Sequence, residues 1–173
     1  MSDIHELTVA VDLRDEISAT ELAELRWHLG IGPRPERLSI VTEFPVVVVD
    51  DSGAPVVEDD PRPLLAGNGA AARVGGVLGS ALEPRTDPPR RGWALTCRQE
   101  VHPDEFEEVG ELLGWLAARA HATHRLADGA DRAGGADGSD TAGGAVRIGF
   151  LRFHEDEVPA ALRVEDGRVR WPA

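Results

Sequence analysis

His121-Ala122-Thr123-His124 is the sharpest chemical spacing in the chain. On a helix, positions i and i+3 share a face, so both imidazoles would point the same way, as metal ligation requires. His154 and the adjoining Glu155 come later, at the end of a strand, and add donors for a divalent ion. The two histidines also suit a helix's last turn for a simpler reason, because positive charge there complements the helix dipole. Glu155-Asp156-Glu157 beside His154 is the kind of carboxylate run that acid/base chemistry uses, and equally the kind that solvates a strand end. Glu58-Asp59-Asp60 repeats that pattern.

Other reactive types are scarce. Cys97 is the only cysteine, which excludes an internal disulfide and any multi-cysteine zinc site. It sits mid-strand and is expected to point inward as a small hydrophobe. Ser80, in Leu78-Gly79-Ser80-Ala81, lacks the spacing of a nucleophile elbow. Gly67-Asn68-Gly69-Ala70-Ala71-Ala72 matches a loose dinucleotide fingerprint, but Pro61 and Pro63 stand where its strand would be. All 18 basic residues are arginine, and tyrosine is absent. High-GC codon usage accounts for that bias. Schiff-base chemistry, a P-loop lysine and a tyrosine nucleophile are thereby excluded. No cofactor is expected beyond a divalent metal at the histidines.

Charge limits the partners. The formal net charge of -13 argues against nucleic acid and against anionic membrane surfaces. The distribution is uneven: residues 1–60 carry -10, residues 61–100 carry +3 and residues 101–173 carry -6. The middle is a basic island that includes Arg90 and Arg91. These two arginines, with Trp93 and Trp171 at strand ends, are the candidate binding residues, since an exposed Trp anchors interfaces. The start of the chain has acids where a secretory signal needs a basic end and an apolar run. No stretch approaches the roughly 18 apolar residues of a membrane span. The expected location is the cytoplasm.

These residues must be held by a fold, and 173 residues suit one domain. Leu7, Val9, Val11 and Leu13 alternate as a half-buried strand. Ser18 and Glu21 form a capping box ahead of a helix carrying Leu22, Leu25, Trp27 and Leu29. Strands are expected over Leu38 to Phe44, Val46 to Val49 and Pro55 to Val57, with a turn at Asp50 to Gly53. Val74 to Leu82 reads as a strand with a bulge, and Trp93 to Val101 as a strand. A second helix runs from Pro103 through Ala120, and Val146 to Phe153 is again a strand. Asp166-Gly167 marks a two-residue hairpin between Ala161–Val164 and Val169–Trp171. Residues 127–145, rich in Gly, Ala and Asp, read as a mobile loop.

Two halves, 1–60 and 92–173, echo each other at an offset of 88 across a connector at 61–91. Leu7-Thr8-Val9 aligns with Leu95-Thr96-Cys97, and Trp27 with Trp115. The expected fold is α+β: a two-layer sandwich with a mostly antiparallel sheet, two main helices on one face, and a duplicated β-α-β-β(-β) unit. The sheet's second face must then be solvated, dimerised or wrapped around a ligand.

A doubled βαβββ unit resembles the vicinal-oxygen-chelate (glyoxalase-like) superfamily. His5-x-Leu7-x-Val9 and Leu29-Gly30 are similar to its first strand and helix end. The helix region here is longer, and that family's Phe-Tyr pair before the Leu-Gly is missing. The resemblance implies a divalent metal held by a strand histidine, here His5, and a glutamate near the module's end. Two functions follow as expectations. One is a small acidic non-enzymatic binding or interaction module that takes a protein or small ligand, or forms a homodimer. The other is a metal-dependent enzyme built on the histidine cluster.

Overall fold

The computed structural model describes residues 3–126 and 144–172. The Gly/Ala/Asp-rich run expected over 127–145 therefore lies almost wholly outside the described residues.

Strand β1 (His5–Leu13) carries the alternation seen in the sequence: Leu7, Val9, Val11 and Leu13 are buried on one face. Helix α1 (Ala19–His28) begins at the Ser18/Glu21 capping box. A two-stranded sheet follows, β2 (Pro45–Val49) and β3 (Pro55–Asp59), turning at Asp50 to Gly53. Then come β4 (Gly69–Ala70), β5 (Val77–Arg85) and β6 (Gly92–Val101). A single 3-10 turn, Pro103–Glu105, leads into α2 (Phe106–Arg119). The chain ends with β7 (Val146–Phe153), β8 (Ala160–Glu165) and β9 (Arg168–Arg170). The β8–β9 turn is Asp166-Gly167, both with positive φ, as a tight hairpin turn demands.

The main sheet is antiparallel throughout, in the order β4-β5-β6-β1-β7-β8-β9. Both helices cover one face, giving the expected α+β sandwich. The core strands interlock. β1 pairs with β6 and β7, both from the second half, while β5, from the connector, pairs with β6. The sheet is therefore two interleaved split β-α-β units, β1-α1-β5 and β6-α2-β7, the connectivity of a ferredoxin-like sheet. This differs from two self-contained βαβββ modules. β2–β3 is an insertion in the first crossover, and β8–β9 is an extension at one edge.

The offset of 88 has a geometric meaning. Val9 and Cys97 are 88 apart and are also directly opposed in the β1–β6 ladder. An antiparallel ladder has a local two-fold at a directly opposed pair, and the one at Val9 and Cys97 relates β1 to β6. The strands and helices coincide at this offset, since β1 maps onto residues 93–101 and α1 onto 107–116.

Three local expectations are corrected. Leu38 to Phe44 is not a strand. Its amides are taken by side chains: Ser39, Ile40 and Val41 donate to Glu24, and Phe44 donates to Asp59. Those donors are lost to any ladder, and the segment instead drops Val41 and Phe44 into the core. The expected bulge at Val74 to Leu82 is absent, and the register shift lies in β7 between Arg147 and Gly149. Gly149 is needed there because a Cβ would meet the Thr8 carbonyl oxygen at 1.9 Å. The second helix stops at Arg119, one residue short, and Ala120 turns extended.

Candidate functional site

With the helices on one face, the even-numbered residues of β1 look out from the other. Ala10 and Thr96 oppose each other at the centre and are exposed, with Thr8 and Ala94 nearby. Two carboxylates rise from β1 on this face. Glu6 is gripped from both neighbouring strands. Arg98 Nε donates to it at 2.6 Å, and Arg152 donates through Nε at 2.9 Å and Nη2 at 2.5 Å. Burial raises the Glu6 carboxyl, but the two guanidinium groups outweigh it and hold the pKa below the ordinary range. Asp12 meets Arg85 at 2.9 Å and Arg90 at 3.6 Å. Glu100 accepts from the amides of Ala72, Arg73 and Val74, tying the β4–β5 turn region to the sheet.

Toward the other edge the face turns basic. Arg147, Arg163 and Arg170 are directly opposed across β7, β8 and β9. Arg168 opposes Glu165, and Glu165 also accepts from Arg170 at 2.9 Å. Opposed like charges destabilise a sheet by a few tenths of a kcal/mol or more per pair. Glu165 offsets part of the charge of Arg170, and the Arg147–Arg163 pair is a directly opposed like-charge contact of the row. Beside it, Phe150 is 42% exposed and opposes Ala161. A shallow depression of about 130 Å³ lies next to Phe150, lined by Glu6, Thr8, Arg152 and Pro159.

The histidines are dispersed. His121 and His124 do lie together, on a single 3-10 turn (Ala122–His124) that His121 caps, not on a helical face. That turn is strapped to the end of β1: the Asp12 amide donates to His124 Nε2 at 3.0 Å, and the His121 amide donates to the Asp12 carbonyl at 2.8 Å. The Nε2 lone pair of His124 is therefore taken by that amide. Burial, ahead of its neighbours' charges, lowers the His124 pKa. His121 Nε2 sits 3.2 Å from the Arg91 carbonyl. His154 lies at the opposite end of β1, where its amide donates to Ile4. Its neighbour there is His5, whose ring packs against Phe106 and Phe153 at 5.3 and 5.4 Å. A nine-residue strand spans about 30 Å, so the structure does not bring His154 to His121 and His124. Among the described residues, no three His, Cys, Asp or Glu side chains gather where they could hold a metal ion.

The two candidate tryptophans sit in the rim of the helix-side core. Trp93 lies under the Arg26 guanidinium of α1 at 5.4 Å, and Trp171 stacks on Phe106 at 4.0 Å. Arg90 serves Asp12, while Arg91 is exposed beside the Pro88-Pro89 turn. Sequence reasoning missed the arginine row. The arginines were visible in the sequence, but only the register places Arg147, Arg163 and Arg170 in one row.

No family model, curated protein or solved structure matches this chain.

Proposed function

We propose that the chain is a non-enzymatic binding module that takes an acidic protein segment on the uncovered sheet face, over β7, β8 and β9. The observation that carries this reading is the in-register row Arg147–Arg163–Arg170. A row of guanidinium groups forms bidentate bonds to carboxylates, and a facing acidic strand relieves their mutual repulsion. Exposed Phe150 and half-buried Ala161 supply an apolar floor alongside. The net negative charge of the whole chain does not prevent this, because charges beyond about 8 Å are screened at physiological salt. Nucleic acid fits less well. The outward positions of central strands β1 and β6 hold Thr8, Ala10, Ala94 and Thr96 where stacking aromatics would be needed, and Glu6, Asp12 and Glu100 share the face.

An oligo-glutamate peptide titrated by calorimetry at low ionic strength tests the reading. Binding is expected for the natural chain, weakening with salt. The double variant Arg163→Glu with Arg170→Glu should bind at least about tenfold more weakly. Equal affinity for both proteins, or no binding at low salt, overturns it.

A further inference from the structure

The hairpin β2–β3 forms a sheet of its own, and none of its valines belongs to the hydrophobic core or packs against it. A lone two-stranded hairpin is marginally stable in water. This one also turns a face of valine and proline outward. Val47, Val49 and Val57 are 69, 71 and 70% exposed, and Val47 directly opposes Val57. Its charge is one-sided. Residues 45–60 contain Asp50, Asp51, Glu58, Asp59 and Asp60 and no basic residue. Two such hairpins laid face to face would repel, so the surface that covers this arm has to be basic with an apolar floor.

The chain carries a surface of that description. The arginine row on β7, β8 and β9 lies beside exposed Phe150, on the sheet face away from the helices. The arm cannot reach it within one molecule. It is rooted in the helix layer, where Phe44 packs on Trp27 and His28 and accepts the Asp60 amide through its carbonyl. A five-residue strand extends only about 16 Å, and the row faces away on the far side of the sheet.

We infer that the chain self-associates, the acidic valine arm of one copy lying on the arginine-bearing sheet face of a second. This rests on the reading of that face as a binding surface and names its occupant. Two-fold symmetry lets both arms engage reciprocally, which closes the assembly as a dimer. Each contact sets the acidic tip of the arm, Asp50 and Asp51, with Asp59 on the valine face, against the arginine row, and covers Val47, Val49 and Val57 with Phe150 and Ala161.

The test is a charge swap read by sedimentation velocity on the full chain. One variant reverses the row, Arg163→Glu with Arg170→Glu. The other reverses the charge of the arm's tip, Asp51→Arg with Ser52→Arg. All four side chains are exposed, and circular dichroism checks that both variants fold. The natural chain is expected to dimerise as concentration rises, and each variant alone to dimerise at least about tenfold more weakly. Mixing the two variants should restore the dimer, because each arm again meets a row of opposite sign. A natural chain that stays monomeric, variants that dimerise unchanged, or a mixture that does not recover overturns the inference. A monomer that still binds oligo-glutamate through the row would sink the arm contact alone. Loss of both would sink the binding reading with it.

Discussion

Replacing Glu24 by alanine removes the acceptor that shapes residues 38–44. The Glu24 carboxylate is fully buried on α1. It accepts from the Ser39 amide at 2.5 Å and hydroxyl at 3.0 Å, and from the amides of Ile40 at 2.9 Å and Val41 at 3.0 Å. A hydrogen bond to a charged acceptor contributes about 1.5–3 kcal/mol, and a buried donor left unpaired loses about 1–3 kcal/mol. Ser39 is exposed and Ile40 half-buried, so their amides recover part of the loss from water. Val41 is fully buried and its amide recovers none. The expected loss for Glu24→Ala is therefore about 3–4 kcal/mol. With a slope of roughly 2 kcal/mol per M, the urea midpoint should fall by roughly 1.5–2 M. Glu24→Gln keeps one acceptor oxygen but turns an NH2 donor toward the amides, so it should still lose about 2 kcal/mol. Ser39→Ala loses one bond near solvent and should stay within about 1 kcal/mol of the natural chain. A Glu24→Ala variant within 1 kcal/mol of the natural chain would refute the reasoning.

The same region sets an acid limit. Burial pushes the His28 imidazole down to about 4, against the upward pull of Glu24 at 3.6 Å, so His28 is neutral in the folded chain at pH 7. The unfolded chain takes up this proton first, so stability falls as pH drops from about 6.5 toward 4. Glu21 acts lower. Burial raises its carboxyl, but the Ser18 amide and hydroxyl, the Trp115 indole and Arg119 outweigh that and hold it at about 2. Its contribution is present above 4.5 and is lost as pH falls toward 2. Urea midpoints measured against pH should lose the upper window in His28→Gln and keep the lower one; an unchanged profile in that variant contradicts the assignment. Burial also lifts the Cys97 thiol to about 11. Cys97 should resist a disulfide-exchange reagent at pH 8 in the folded chain and react fully in denaturant, and rapid labelling of the folded chain would place it outside the core.

Much of the layer structure was legible in the sequence because it rests on local rules. Alternation in Leu7 to Leu13 set the inward face of β1, and Ser18 with Glu21 capped α1. Asp166-Gly167 marked the last hairpin, and the central glycine-free stretch Trp93 to Val101 became β6. Residues 38–44 were misread because their apolar run suits a strand, while a side chain far back on α1 claims their amides. The histidines were misplaced for a related reason. Spacing says which residues share a helical face, but the helix ended before His121, and His154 entered the sheet from the opposite end of β1.

By itself, the sequence determined most of the elements, the inward faces of the main strands, the acidic charge and the chemistries that missing residue types exclude. All of these follow from residue type and short-range period. Only the tertiary structure decided that the two halves interleave through Val9 and Cys97, and that one sheet face stays uncovered. It also decided that Arg147, Arg163 and Arg170 stand in one row while the valine arm is left outside the core. Strand order and register are long-range choices, made by how the whole apolar surface is buried at once, and no local spacing encodes them.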